Sequence, residues 1–580
     1  MDSTGVVLFT DLGTAAELLF SPTALMLVAI GSFLGIVVGA IPGLTGAMLI
    51  ALALPLTFSM SGELALVLLV SMYVGSVSGG LVTATLLRMP GTPASIMTTL
   101  DGYPMTQQGK SGRALALGIG ASFVGGMISW GFLVCLAEPM AVWSLSFGPF
   151  EFTALVLVAM VLIMSVSGRS LSLGVLAGAI GVLIAMPGSS PATGVSRWTL
   201  GLHELDDGFK LLPVLIGLFA VNQVIRQLLN DVRRVVHAPL NDDRRVVHAP
   251  SGQRRSGFSK QVTRLPEPTA PAAGTSDVNV THPTPTASAV GSAGQIRDFG
   301  DEGANVGHDG NATDSGEALQ FHRRDLHTHG TNLVRSSLIG TWIGILPGIG
   351  ANIGSVMAYA AAKKTSKHPE RFGHGSEEGV VASESANNAT VGGALIPLVS
   401  MGIPGSVIDA ILLGAFVIHG LQPGPMLMQQ NPLAVQTIMG ALLLANVCTL
   451  LFLLAGARSM VRVASIPQYV LLPVVMIFCV IGSFALANRM FDVWVMLGFG
   501  VAGYLLERAN IPLAPLVIGF VLAPIGEEHL SAGLMQSGGS WLPLVQRPIA
   551  ATLCVVAAAI FSWTLWQRFH RNDSTHSDAP

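Results

Sequence analysis

Long apolar runs alternate with short polar joints along the chain, and the runs fall into two sets. The first set lies near 23–41, 44–58, 64–88, 114–137, 151–166, 171–186 and 211–229. The second lies near 333–346, 349–362, 379–401, 407–419, 433–457, 468–487, 491–506, 511–524 and 549–567. A helix of roughly 20 apolar residues crosses a bilayer, and the run from Thr23 to Ile41 is of that length. Several other runs hold only 12–16 residues and come in pairs split by Pro-Gly. Short paired runs predict half-helices or re-entrant hairpins. The pattern predicts an all-α polytopic membrane protein of about 12 spans.

The two sets repeat each other. The first holds Gly35-xxx-Gly39-xx-Pro42-Gly43 and the second Gly340-xxx-Gly344-xx-Pro347-Gly348, at an offset of 305. Each continues with a Gly-Gly and a second Pro-Gly: Gly79-Gly80 to Pro90-Gly91, and Gly392-Gly393 to Pro404-Gly405. Breaks at matching positions in two halves point to the binding site of a secondary transporter. An odd number of spans per half makes the repeats inverted. Gly31, Gly35, Gly39 and Gly43 step by four, as do Gly340, Gly344 and Gly348, so the upstream glycines read as a close-packing helix face.

Proline removes a backbone donor and glycine permits positive φ, so a helix stops at each Pro-Gly. Freed backbone groups survive at membrane depth only against protein or water. The helix that restarts offers free N–H groups and a partial positive charge, which suit an anion. The candidate substrate-binding residues are therefore Pro42, Gly43, Leu44, Thr45 and Gly46 at the first tip, and Pro90, Gly91 and Thr92 at the second. Pro347, Gly348, Gly350 and Asn352 form the third tip, with Ala351 between them, and Pro404, Gly405 and Ser406 the fourth.

Composition agrees with a membrane protein. Of 580 residues 51% are hydrophobic and 11% charged, the net charge is −3, and Gly and Pro number 67 and 33. A soluble domain carries about 25% charged residues. These values exclude a soluble enzyme, a disordered protein and a nucleic-acid binder. Cys135, Cys448, Cys479 and Cys554 lie in apolar runs without a CxxC pair, so no disulfide framework or zinc site is expected. Acidic residues and no basic one precede the first run, which does not resemble a cleavable signal.

Residues 230–332 break the pattern. They carry 23 of the chain's 63 charges in 103 residues, with Pro, Ser, Thr and Gly between. Such a segment is expected to be a disordered linker. It contains a short tandem repeat, from Asp231 to Pro239 and again from Asp243 to Pro250, and seven of the 14 His, without metal-ligand spacing. The expected division is an N-terminal segment 1–22, a first transmembrane repeat 23–229, the linker 230–332, a second repeat 333–567 and a tail 568–580. The linker, the Lys363–Arg371 loop and the tail carry the Lys and Arg that the positive-inside rule counts, which is expected to place them in the cytoplasm and the acidic N-terminus outside.

Polar residues inside apolar runs carry the remaining chemistry. The stretch from Glu377 to Thr390 includes Glu384, Asn387 and Asn388, and such groups at membrane depth are functional by default. The two amides suit a carboxylate or the shell of a cation. Glu384 and Asn388 are the candidates for ion coupling, set against a reading in which Glu384 caps the helix start in water. Asp409 reads as stabilising a helix N-terminus. Glu151, Glu527, Glu528 and a Glu507–Arg508 pair read as structural boundary charges. Gly75-Ser-Val-Ser-Gly79 places Val77 where a hydrolase nucleophile would stand, and there is no Walker A motif, so neither hydrolysis nor direct ATP drive is expected. Lys and Arg are scarce in the runs, so an anion would be held by backbone N–H, Ser, Thr and Asn, with a coupling cation neutralising its charge.

Several stretches resemble the large permease subunit, TctA type, of the tripartite tricarboxylate transporters. They are Gly39-Ala-Ile-Pro-Gly-Leu-Thr45, Met89-Pro-Gly-Thr-Pro-Ala-Ser95, Asp101-Gly-Tyr-Pro104, Phe147-Gly-Pro-Phe-Glu151, Ile345-Leu-Pro-Gly-Ile-Gly350, Glu384-Ser-Ala-Asn-Asn388, Gly402-Ile-Pro-Gly-Ser406 and His419-Gly-Leu-Gln-Pro-Gly-Pro425. The resemblance covers about 20–230 and 333–567. It implies an elevator-like, inverted-repeat symporter of a bacterial inner membrane, driven by Na+ or H+, with no other cofactor. It implies a small four-span membrane subunit and a periplasmic solute-binding protein as partners. The implied substrates are citrate-like di- and tricarboxylates, or aromatic acids in some members. The linker is longer than the family's usual central loop, and Thr45 stands where many members have a further Gly. The competing readings are a stand-alone organic-anion carrier or exporter of the same fold, a membrane-embedded enzyme, and a sensor that signals through its linker.

Overall fold

Ser21, Thr45, Ser61, Ser376 and Ser406 each stand just before an apolar run. Each caps a helix by accepting a hydrogen bond from a backbone N–H three residues on. The computed structural model describes residues 12–166, 171–190, 193–236, 323–347, 350–464 and 468–576. Most of the segment expected to be a linker lies outside these residues, as does Gly348.

The first half runs α1 (Leu12–Leu19), α2 (Pro22–Ala40), α3 (Gly46–Ala53), α4 (Gly62–Leu86), α5 (Ile96–Gln107), α6 (Ser111–Leu145), α7 (Pro149–Val166), α8 (Leu171–Ala185), α9 (Leu211–Leu215) and α10 (Asn222–Val236). A π-helical turn at Ile216–Val221 joins the last two. The second half runs α11 (Arg323–Ile345), α12 (Gly350–Thr365), α13 (Glu377–Met401), α14 (Val407–Ile418), α15 (Pro425–Gln430), α16 (Pro432–Ala464), α17 (Gln468–Ala485), α18 (Met490–Arg508), α19 (Leu513–Gln536), α20 (Pro543–Gln546) and α21 (Pro548–His576). One antiparallel pair of two-residue strands, Gly188–Ser189 with Ser196–Arg197, is the only sheet among the described residues.

Eight helical stretches are long and apolar enough to cross a membrane, and five shorter apolar helices accompany them. Large apolar side chains such as Trp342, Ile477, Val555 and Trp563 face outward, as contact with lipid requires. The chain is an all-α, multi-pass membrane protein.

Two helices occupy the interior. Every residue from Ala65 to Thr85 of α4 is buried, and so is every residue from Gly379 to Met401 of α13. Their partners are exchanged between the halves. The long α6 of the first half packs along α13, and the long α16 of the second packs along α4. Within each half, α2 lies on α4 and α11 lies on α13.

The glycine spacing creates these close contacts. A β-carbon at Gly35 would stand 2.5 Å from Met72 O, and one at Gly340 would stand 2.3 Å from Ala386 O. Gly39 meets Ser76 O and Gly344 meets Thr390 O in the same way. Gly91 of the second tip abuts Gly39 O, and Gly405 of the fourth abuts Gly344 O. The helix partners and tips thus correspond at an offset of 314, while the glycine helices correspond at 305. The two halves are a structural repeat, with breaks in equivalent places.

The second half starts earlier than composition suggests. α11 begins at Arg323, inside the stretch 230–332 expected to be linker. Its charged first turns are held by packing partners. Arg113 at the start of α6 donates to Asp325 at 2.6 and 2.8 Å and to Glu377 at 3.0 and 2.9 Å, and His329 lies 3.2 Å from Glu377.

Candidate functional site

Glu384 is the eighth residue of α13 and is fully buried. The alternative in which it caps the helix start in water is overturned, because Ser376 is the cap and Glu377 and Glu378 occupy the first turn. Hydroxyls from the first half surround its carboxylate. Thr98 of α5 donates to Oε1 at 2.5 Å and Ser122 of α6 donates to Oε2 at 3.1 Å. Thr98 also lies 3.1 Å from Ser383 Oγ. One turn on, Asn388 accepts from Ser78 of α4 at 2.6 Å and donates to the Glu384 carbonyl at 3.2 Å. Asn387 is buried within electrostatic reach of Glu384, yet neither polar atom of its amide makes a hydrogen bond of regular geometry. A buried amide whose hydrogen bonds are poorly met costs up to about 1–3 kcal/mol.

The fourth tip meets both the third tip and α4. Ser406 caps α14, and its Oγ lies 3.4 Å from the Tyr73 hydroxyl of α4. Gly350, where α12 restarts at φ +67, faces Ser406. Gly46, where α3 restarts, faces Ser76 of α4 and Ile408 of α14. The fourth tip and the helix it opens therefore border both the first tip and the third. At the second tip, Thr92 Oγ1 lies 2.9 Å from Ser95 Oγ, and both crowd Gly80. At the first, Gly43 at φ +89 turns the chain against Gln223 and Gln227 of α10.

The other expected residues are placed as follows. Thr45 accepts from Met48 N as the cap of α3, and Leu44, Gly91, Pro404 and Gly405 are buried. Pro42 and Pro347 are half-buried, whereas Pro90 and Asn352 are exposed. Gly348 lies outside the described residues. Among the boundary charges, Glu151 pairs with Arg547 and Glu527 with Arg197. Glu507 forms its ion pair with Arg226, not within the expected Glu507–Arg508 couple. Among the described residues no group of three or more His, Cys, Asp or Glu could hold a metal ion.

Sequence reading missed Tyr73, Ser78, Thr98 and Ser122. A usable signal existed for one of them. The offset of 314 that relates the tips sets Tyr73 opposite Asn387 and Thr92 opposite Ser406.

Asp101 had a motif but no role. It is fully buried, and its Oδ1 accepts from the backbone N–H groups of Gly373, Gly375 and Ser376 at 2.8, 3.0 and 2.8 Å. Tyr359 donates to Oδ2 at 2.8 Å. One carboxylate of the first half thus holds the loop that leads into α13. Asp101→Ala strands four donors, each worth about 1–3 kcal/mol when buried and unmet. The expected loss is at least about 3 kcal/mol, read as a lower unfolding temperature of the purified chain. Wild-type melting would remove this role.

Buried polar groups and paired helix breaks, in two equivalent halves of a multi-pass membrane protein, are features of a membrane transporter. A sequence profile of the tripartite tricarboxylate transporter TctA family matches residues 25–266 and 294–518. The chain belongs to that family. The match reaches into the expected linker from both sides and stops short of α21, so its limits differ from the 20–230 and 333–567 read from motifs. An uncharacterized 52.8 kDa protein in the TAR-I ttuC' 3' region of Agrobacterium vitis is 30% identical over 554 residues, 95% of each chain. An uncharacterized protein in the TAR-II ttuC' 3' region of the same organism is 37% identical over 227 residues, 38% of this chain and 94% of that one. No solved structure matches.

Proposed function

We propose that this chain is the permease subunit of a binding-protein-dependent symporter that imports citrate-like di- or tricarboxylates across a bacterial inner membrane. A small four-span subunit and a periplasmic solute-binding protein complete the system. The linker and the C-terminus face the cytoplasm, and the two repeats run inverted and work as an elevator. The single observation that carries the reading is the buried Glu384 carboxylate, ringed by hydroxyls and set beside an Asn387 amide that makes no hydrogen bond of regular geometry.

The chemistry follows from that grouping. A carboxylate without a cationic side chain is costly in a low-dielectric interior. A Na+ or H+ arriving at Glu384 removes the cost and, with Asn388, prepares the neighbouring amide and tip N–H groups for an anionic substrate. Each ligand then favours the other, which is coupling in the thermodynamic sense. The uncharged tips bind through dipoles, so each coupling cation offsets one of the substrate's negative charges.

Proteoliposomes holding the chain and its small subunit test the reading with a panel of radiolabelled carboxylates. Uptake is expected only with binding protein outside and an inward sodium or proton gradient. Uptake indifferent to the binding protein would identify a stand-alone carrier. Failure of every carboxylate would overturn the substrate class.

A further inference from the structure

We propose that Asp409, with Ser406 and Tyr73, forms a second site for a small monovalent cation, a sodium ion or a proton, separate from Glu384. Its physiological meaning rests on the permease reading, but its test does not.

Asp409 is the third residue of α14 and is fully buried. Its backbone N–H donates to Ser406 Oγ at 3.3 Å. In a complete capping box its carboxylate would bond back to the Ser406 N–H. That arm is loose: the Ser406 hydroxyl and N–H lie within electrostatic reach of the carboxylate, yet neither closes a hydrogen bond of regular geometry. Among the described residues no Lys, Arg or His forms an ion pair with it. The helix N-terminus supplies only a partial positive charge. A buried carboxylate in this state calls for a cation or a proton.

Oxygen ligands are at hand. Tyr73 lies within electrostatic reach of Asp409, and its hydroxyl lies 3.4 Å from Ser406 Oγ. Two carboxylate oxygens and two hydroxyls from α4 and the fourth tip make an all-oxygen set, which suits a hard cation. A proton on Asp409 would instead let it donate to the same hydroxyls. Of the elements packed on α14, α3 and α9 carry no titratable group. Glu63 on α4, Glu377, Glu378 and Glu384 on α13, and Glu527, Glu528 and His529 on α19 exert no resolved charge on Asp409. The repeat offset of 314 places Ser95 opposite Asp409, so this carboxylate has no counterpart in the first half.

The experiment uses the purified full chain in detergent, without substrate or partners. Radioactive sodium bound at equilibrium is measured at alkaline pH for the wild type, D409N, E384Q and the double variant. Proton uptake on acidification is measured with an indicator dye on the same samples. For a sodium site, D409N binds one ion fewer per chain than the wild type. For a proton site, sodium binding is unchanged and D409N takes up one proton fewer. Y73F keeps the carboxylate, so it retains the full number of ions and weakens the affinity several-fold. Should D409N not fold, that shift in Y73F carries the test alone. A D409N variant equal to the wild type in sodium and protons, or a Y73F variant of unaltered affinity, would overturn the proposal and leave Asp409 a helix-stabilising residue. Loss of carboxylate uptake in the proteoliposome assay with an intact Asp409 site would defeat the permease reading alone.

Discussion

Glu384→Gln will leave the chain folded and abolish concentrative uptake while preserving exchange of carboxylate across the membrane. The amide keeps the shape of the side chain beside Thr98 and Ser122 but cannot gain or lose a charge. One elementary charge moved through about 100 mV is worth about 2.3 kcal/mol. Each coupled charge therefore supports about 50-fold accumulation at that potential. The variant should lose that factor in gradient-driven uptake and retain counterflow, since counterflow needs only binding and translocation. Glu384→Asp should fall between the two, because the shorter side chain withdraws from both hydroxyls. A glutamine variant that accumulates substrate as the wild type does would place the coupling group elsewhere.

Asn387→Leu is expected to move stability and function in opposite directions. The wild-type amide is buried and neither polar atom makes a hydrogen bond of regular geometry, so removing it relieves up to about 1–3 kcal/mol in the substrate-free protein. The same change deletes hydrogen bonds to a charged ligand, worth about 1.5–3 kcal/mol each. Substrate affinity should drop by about 10- to 100-fold. The melting temperature without substrate should rise, and the further rise that substrate gives the wild type should vanish. A variant that is less stable and binds as before would show that the amide serves packing.

Much of the architecture was legible because its causes are local. Pro42-Gly43, Pro90-Gly91, Pro347-Gly348 and Pro404-Gly405 stop helices through covalent properties of the two residues, whatever surrounds them. Glu384, Asn387 and Asn388 stood out because ionisable and amide groups in an apolar run are costly. What surrounds them was not legible. Thr98, Ser122 and Ser78 come from the other half, and their arrival depends on α6 packing along α13 and on α4 passing beside it. Single Ser and Thr residues are common in membrane helices and carry no mark of their partners. The start of α11 was hidden for the opposite reason. Arg323, Arg324 and Asp325 have the composition of the adjoining linker, and the value of Asp325 depends on Arg113, more than 200 residues earlier. Asp101 was visible as part of a motif, but its work lies in three backbone N–H groups that a sequence cannot display.

The exchange of long helices between the halves has a consequence for how the chain is made. α4 ends at Leu86, and the helix that sheathes it, α16, begins at Pro432. A ribosome adding about 5–20 residues per second takes roughly 20 to 70 s to cover that distance. Throughout that interval α4, with its buried Ser71, Ser76, Ser78, Thr83 and Thr85, lacks its final neighbour. The newborn first half must therefore stay in the bilayer as an unfinished bundle, open to quality-control proteases, until α16 has been synthesised.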